Sequence, residues 1–159
     1  MDFLIFSDSH GKRRAMETAI GLQIKKPDAI FFLGDGLNDI ADRVDGIPVI
    51  CVRGNCDWSI GTRSVREEET VSFEGHRIFL THGHRYAAKS GLGAMIRAAE
   101  ERGADVVLYG HTHRPALDTI QTGSEGRTVT FFNPGSIAEG SFGTLTLTSD
   151  TVLFSHGTI

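Results

Sequence analysis

Cysteine is scarce in this chain of 159 residues: only Cys51 and Cys56 are present. They form neither a CxxC pair nor a disulfide framework, so a reducing, cytoplasmic location is expected. Long apolar runs are missing as well. The N-terminal run Phe3 to Phe6 is too short for a signal-peptide core, and no stretch approaches the ~20 residues of a membrane helix, which sets a membrane aside as partner. Excess positive charge is also lacking. Sixteen Lys and Arg stand against 20 Asp and Glu, a net charge of −4, and without clustered cations no stable nucleic-acid binding is expected. What remains is an ordinary globular composition, 40% hydrophobic and 23% charged, at a length that suits one domain over residues 1–159. Two enrichments stand out: seven His, and 19 Gly in 159 residues, about 12% against a usual ~7%.

Short apolar runs at 3–6, 29–33, 48–52, 77–80 and 105–109 end in polar or Gly residues and read as strands, several buried on both faces. Met16, Ala19, Ile20 and Ile24 recur at helical spacing before Pro27, which predicts a helix over 12–25. Leu92, Met95, Ile96 and Ala99 predict a second, with Ser90 as cap and Gly103 as stop. Shorter helical signals run from Leu37 to Val44. The last third reads as antiparallel hairpins over 116–122, 127–132, 143–148 and 151–155, with turns at 123–126 and 149–150 and an earlier hairpin turning at Glu74 and Gly75. The expected class is α/β, parallel in its first half and antiparallel in its second, with helices covering the sheet.

Open α/β folds place ligands beyond the carboxyl ends of their strands. Here those ends carry Asp8 and His10, then Gly34 and Asp35, then Gly54 to Asp57, then His82 and His84, then Gly110, His111 and His113. Each residue alone has an ordinary reading, Asp8 as a turn residue or Asp35 as a helix cap. Their recurrence at successive strand ends is instead a metal-ligand inventory of oxygen and nitrogen donors, suited to Mn, Fe, Zn, Ni or Co. His76 and His156, standing alone, read as surface residues.

The five segments Asp8-Ser9-His10, Gly34-Asp35, Gly54-Asn55-Cys56-Asp57, Thr81-His82-Gly83-His84 and Gly110-His111-Thr112-His113 resemble, in order, the motifs of calcineurin-like metallophosphoesterases. Asn133-Pro134-Gly135-Ser136 is similar to the small prokaryotic phosphodiesterase branch, the YfcE-like group. The resemblance runs from residue 3 to about 142 and implies a four-layer αββα sandwich, two mixed β-sheets flanked by helices. It implies two divalent metal ions, Mn first and Ni, Zn, Fe or Co after it. One would be held by Asp8, His10, Asp35 and His113, the other by Asp35, Asn55, His82 and His111. The implied activity is hydrolysis of small phosphodiesters by a hydroxide bridging the two ions. Charge agrees with a diester: two divalent ions bring four positive charges, Asp8 and Asp35 remove two, a hydroxide one and a diester monoanion the last.

Asn55, itself one of the ligands, and Cys56 are the candidate catalytic residues. Many family members have His where Cys56 stands, as acid for the leaving group. A thiol is a poorer acid for that step, so Cys56 reads first as a small buried filler and second as a proton donor, while Cys51 reads as core. His84 reads as a residue orienting a ligand or as one facing solvent, and Arg53, Arg85 and Arg114 as cations for substrate phosphate or as a solvated rim. One rival is a non-catalytic, metal-binding interaction scaffold resembling a eukaryotic retromer subunit of the same fold; filled ligand positions argue against it. The HxHxDH run of metallo-β-lactamases and the GxxxxGK[ST] of P-loop enzymes are absent. Homo-oligomerisation is left open.

Overall fold

The computed structural model describes residues 1–123 and 126–159. Strand β1 (Asp2–Phe6) pairs in parallel with β2 (Ala29–Phe32), which pairs in parallel with β4 (Ile47–Cys51). Their outer neighbours are antiparallel: β3 (Arg43–Val44) on β4, and β10 (Ser141–Thr148) with β11 (Thr151–Thr158) on β1. The resulting six-stranded order is β11-β10-β1-β2-β4-β3. A second sheet follows the order β5-β6-β7-β9-β8, from β5 (Glu68–Phe73), β6 (His76–Thr81), β7 (Val106–Leu108), β8 (Ala116–Thr122) and β9 (Arg127–Asn133). Its centre, β6-β7-β9, is parallel and its edges antiparallel.

Alternation along β1 shows how four layers arise. Phe3 and Ile5 point into a cluster shared by both sheets, with Phe31, Ile78, Leu80, Val106 and Phe132. Leu4 and Phe6 point the other way, toward Met16 and Ala19 of α1 (Arg13–Gly21). On the far side, Phe79, Val107 and Phe131 meet Met95, Ala98 and Ala99 of α2 (Gly93–Arg102). A strand buried on both faces reads as a continuous apolar run, which is why these strands were visible in the sequence.

Several expectations need correction. The parallel and antiparallel pairings do not divide between the halves of the chain, because each sheet has a parallel centre and antiparallel edges. Helix α1 ends at Gly21, since glycine weakens a helix and Ile24, counted on the apolar face, is wholly exposed. Ser90 is no cap: Leu92 occupies that position without a side-chain bond, while Ser90 ends a 3₁₀ turn over Ala88–Ser90. Gly103 does stop α2, in the left-handed conformation at φ 62°. Residues 37–44 hold a 3₁₀ turn, Leu37–Asp39, and strand β3 rather than a helix. The turn expected at 123–126 has residues 124 and 125 outside the described residues.

Candidate metal centre

Five loops at the carboxyl ends of β1, β2, β4, β6 and β7 bring the candidate ligands together. One donor atom each from Asp8, His10 and His113 lies within 4.8 Å of the others, and the same holds for Asp35, His82 and His111. Asp8 Oδ1 is 3.0 Å from His113 Nε2 and 3.7 Å from His10 Nε2, and 3.9 Å from His82 Nε2, which joins the two groups. His82 Nε2 lies 3.3 Å from Asp35 Oδ2. Asp35 also approaches His10 and Cys56 within 4.8 Å, so its carboxylate stands between the groups. Asn55 presents a buried Oδ1 with no hydrogen-bond partner.

The surroundings fix which atoms face inward. Leu33 O accepts a hydrogen bond from His82 Nδ1 at 2.7 Å, so that nitrogen carries the proton and Nε2 keeps its lone pair toward the cluster. Ser7 Oγ and the His111 N–H donate to Asp8 Oδ2 at 2.5 and 3.1 Å, leaving Oδ1 free. Glu139 Oε1 sits 3.3 Å from His113 Nδ1. Close approach of the loops requires glycine at two positions: a Cβ on Gly54 would stand 2.1 Å from Asp35 Oδ1, and one on Gly110 1.9 Å from Ser7 Oγ.

Three details suit cations at this place. Asp8 Oδ1 and His82 Nε2 are buried and, among the described residues, lack hydrogen-bond partners, which is costly for groups at 0% exposure. The His10 and His113 Nε2 atoms face each other at 3.3 Å, an approach that suits a shared positive ion better than two ring protons. The donors are imidazole nitrogens and carboxylate oxygens, the set preferred by Mn, Fe, Zn, Ni and Co.

Comparison with known proteins agrees with this geometry. Residues 1–157 match the family model of the calcineurin-like phosphoesterase superfamily domain. The chain belongs to the calcineurin-like phosphoesterase superfamily. Its relatives include the probable metallophosphoesterase YsnB of Bacillus subtilis, 31% identical over 138 residues, which cover 86% of this chain and 75% of that protein. Phosphodiesterase YfcE of Escherichia coli K12 is 31% identical over 160 residues, 87% of this chain and 80% of that one. A solved protein of Streptococcus pneumoniae described as a predicted phosphoesterase superposes with a TM-score of 0.67 at 25% identity, over 99% of this chain and 97% of that one. Wild-type Vps29 of Entamoeba histolytica, solved with Zn²⁺, shares the fold at a TM-score of 0.69 and 18% identity, over 99% of each chain.

The charges in this centre act on one another. Burial pushes the Asp35 carboxyl up, but the His82 ring and the Cys56 N–H, 2.7 Å from Oδ1, outweigh it and hold the group well below the usual carboxylate range. Burial pulls His82 down, yet Asp35 and Asp8 raise it overall. His111 is held down at about 4 by burial first and then by the charges of His82 and Lys89.

Cys56 is exposed, so the buried-filler reading does not hold. Its Sγ accepts from Asn55 Nδ2 at 3.3 Å, and partial desolvation together with Asp35 pushes the thiol up to about 11. Cys51 is half-buried in β4. His84 does not hold a ligand either. The Nδ1 of His82 is already taken by Leu33 O, and among the described residues His84 Nδ1 has no hydrogen-bond partner, its ring standing 5.5 Å from that of His82 and its Nε2 4.0 Å from Glu67 Oε1. His76 is no isolated surface residue: it contacts Asp105 Oδ2 at 2.6 Å and Thr148 O at 2.9 Å, at the opposite end of β6 from His82.

Residues that sequence reasoning missed lie behind the donors. Asp57 accepts from the N–H groups of Asp35, Gly36, Leu37 and Gly54 at 2.8 to 2.9 Å, stitching two loops together. Asn133, fully buried, donates to Gly110 O and Thr112 Oγ1 at 3.0 Å, and Ser136 Oγ donates to Asp8 O at 2.9 Å. Their motifs were visible in the sequence. Their partners, lying on other loops, were not.

Proposed function

We propose that the chain is a dinuclear-metal-dependent phosphoesterase that hydrolyses phosphodiester bonds of small substrates. The observation that carries this reading is the pair of buried, unpartnered atoms Asp8 Oδ1 and His82 Nε2, 3.9 Å apart, which a cation would satisfy together. Asp8, His10, Asp35 and His113 would hold one ion and Asp35, Asn55, His82 and His111 the other, with Asp35 serving both. Two such ions would supply a water of lowered pKa and positive charge for the phosphoryl oxygens.

The chain's own groups do the positioning. Leu33 O and Glu139 set the rings of His82 and His113, while Ser7 and the His111 N–H aim Asp8. Cys56, whose thiol is pushed up by partial burial and by Asp35 in the metal-free chain, is a poorer acid than an imidazole for a leaving group, so esters with good leaving groups are the better substrates. We place the activity in the cytoplasm, where both free cysteines would stay reduced.

The test is turnover of chelator-stripped protein on aryl diesters, aryl monoesters and cyclic nucleotides, before and after adding Mn, Ni, Zn, Fe or Co. Stripping should abolish activity, and Mn should restore it with a modest preference for diesters. Equal rates in stripped and loaded protein would overturn the reading. A non-catalytic scaffold would bind metal without turnover. Occupancy alone does not separate the two, since Vps29 of E. histolytica has itself been solved with Zn²⁺.

A further inference from the structure

Cations beside the centre are of two kinds. Arg53 and Arg85 both turn onto Glu67, the former at 3.1 Å, and share its one carboxylate as a counter-charge. Lys89 and Arg114 differ. Among the described residues neither side chain is seen in an ion pair or hydrogen bond, and both line one cleft of about 500 Å³ whose other walls are Ala88, Gly91, Thr112 and Ala116. No carboxylate belongs to that lining.

The cleft borders the centre on two sides. Thr112 separates His111 from His113 in the chain, and Ala88 lies against the residue between His82 and His84, where a Cβ on Gly83 would come within 3.1 Å of Ala88 Cβ. Its wall is also held in place. Buried Asn133 donates to Thr112 Oγ1, which in turn accepts the Arg114 N–H at 3.2 Å, so the base of the Arg114 side chain is tied to the floor of the site. Three small residues, Ala88, Gly91 and Ala116, keep the space open.

Two cations without a counter-charge, facing one cavity, attract an anion, and a guanidinium beside an ammonium suits phosphate oxygens. We propose that this cleft receives a second anionic group of the substrate, so that the preferred substrates are small phosphodiesters carrying a further phosphate on one ester arm. The inference rests on the phosphodiesterase reading above and names its substrate class.

Two 4-nitrophenyl esters of thymidine 5′-phosphate test it, one with a free 3′-hydroxyl and one with a 3′-phosphate. They release the same leaving group and differ only in the remote anion. The expected kcat/KM is about tenfold higher for the 3′-phosphate, mainly through KM, as one charge-assisted contact of ~1.4 kcal/mol would give. That ratio should fall toward one in the double variant Lys89→Ala/Arg114→Ala and persist in part in Arg114→Lys. A ratio near one in the wild type, or an unchanged ratio in the double variant, overturns the proposal. Calorimetric titration of metal-loaded protein with thymidine 3′,5′-bisphosphate reads the cleft without turnover. Weaker binding by the double variant supports the cleft even where both esters go uncleaved, an outcome that defeats only the hydrolytic reading. Equal binding by wild type and variant overturns the cleft.

Discussion

Asp8, His10, Asp35, His111 and His113 have positive φ, from 44° to 67°, a region that non-glycine residues seldom enter. Such conformations cost on the order of 1–3 kcal/mol each and persist where surrounding contacts impose them. Here all five lie in the loops that follow β1, β2 and β7. The position of these residues after strands was legible from the apolar runs; their backbone conformation was not, because Asp and His do not announce it as glycine does. Asp35 and His84 separate a central from a peripheral role. Asp35 Oδ2 faces His82, its Oδ1 holds the Cys56 N–H, and the carboxylate also reaches toward His10, whereas His84 stands beside the rings of His82 and His111 and 4.0 Å from Glu67 without, among the described residues, a hydrogen bond to a ligand. Asp35→Asn keeps the shape and removes the charge. It should lose most bound metal and lower turnover beyond the ~10 to 100-fold typical of outer-shell changes, while His84→Ala keeps its metal and stays within that range. Metal content by emission spectroscopy, paired with turnover, checks this. Equal metal loss in both variants would place the two residues in the same role.

At the scale of elements, the loops after β2 and β4 are held by one carboxylate. Asp57 is 5% exposed and takes four backbone N–H groups that no helix or sheet satisfies. Asp57 caps the first N–H groups of the turn that begins at Leu37, but that turn ends at Ile40, whose backbone is extended at φ −128° and ψ 144°, and Arg43–Val44 pair with β4 instead of continuing a helix. Periodicity cannot register such bonds. It found the strands because burial on both faces is written in composition, and it misplaced helix ends because those depend on one or two residues and their remote partners. Asp57→Ala should cost ~3 to 5 kcal/mol, since it leaves several buried donors unpaired, and should release metal as the loops separate. Asp57→Asn keeps one acceptor but turns its amide hydrogens toward donors, so it should recover only part of that loss. Urea unfolding gives both values. A cost below ~1 kcal/mol for the alanine variant would show that the loops are held by other contacts.

Across the whole molecule, three apolar layers carry the fold while the charged centre sits at one end, where parallel strands of both sheets terminate. The layers were legible in outline, from β-α-β runs followed by hairpins. The way each sheet borrows strands from both ends of the chain was not, because pairing β1 with β10 joins segments more than a hundred residues apart. That arrangement concentrates Asp8, Asp35 and His82 where solvent cannot reach them, so metal and protons compete for the same buried atoms. In the metal-free protein, His82 is raised above its usual 6.5: burial lowers it, and Asp35 and Asp8 more than compensate. A raised folded-state pKa means that its charged form adds stability fully below 6.5, and that this contribution disappears as pH climbs through the raised value. A metal requires the same ring neutral, so its stabilisation must grow over that window. His111, held at about 4, is neutral throughout and adds nothing to the change. The difference in Tm between Mn-loaded and stripped protein should therefore widen from pH 6 to pH 8. At a hundredfold excess over Kd, binding contributes ~2.7 kcal/mol, roughly 5 to 10 °C for a chain of this size. Thermal melts at pH 6, 7 and 8, with and without Mn, read it directly. A gap that stays constant, or widens toward acid, would mean that His82 is not among the groups the metal must deprotonate.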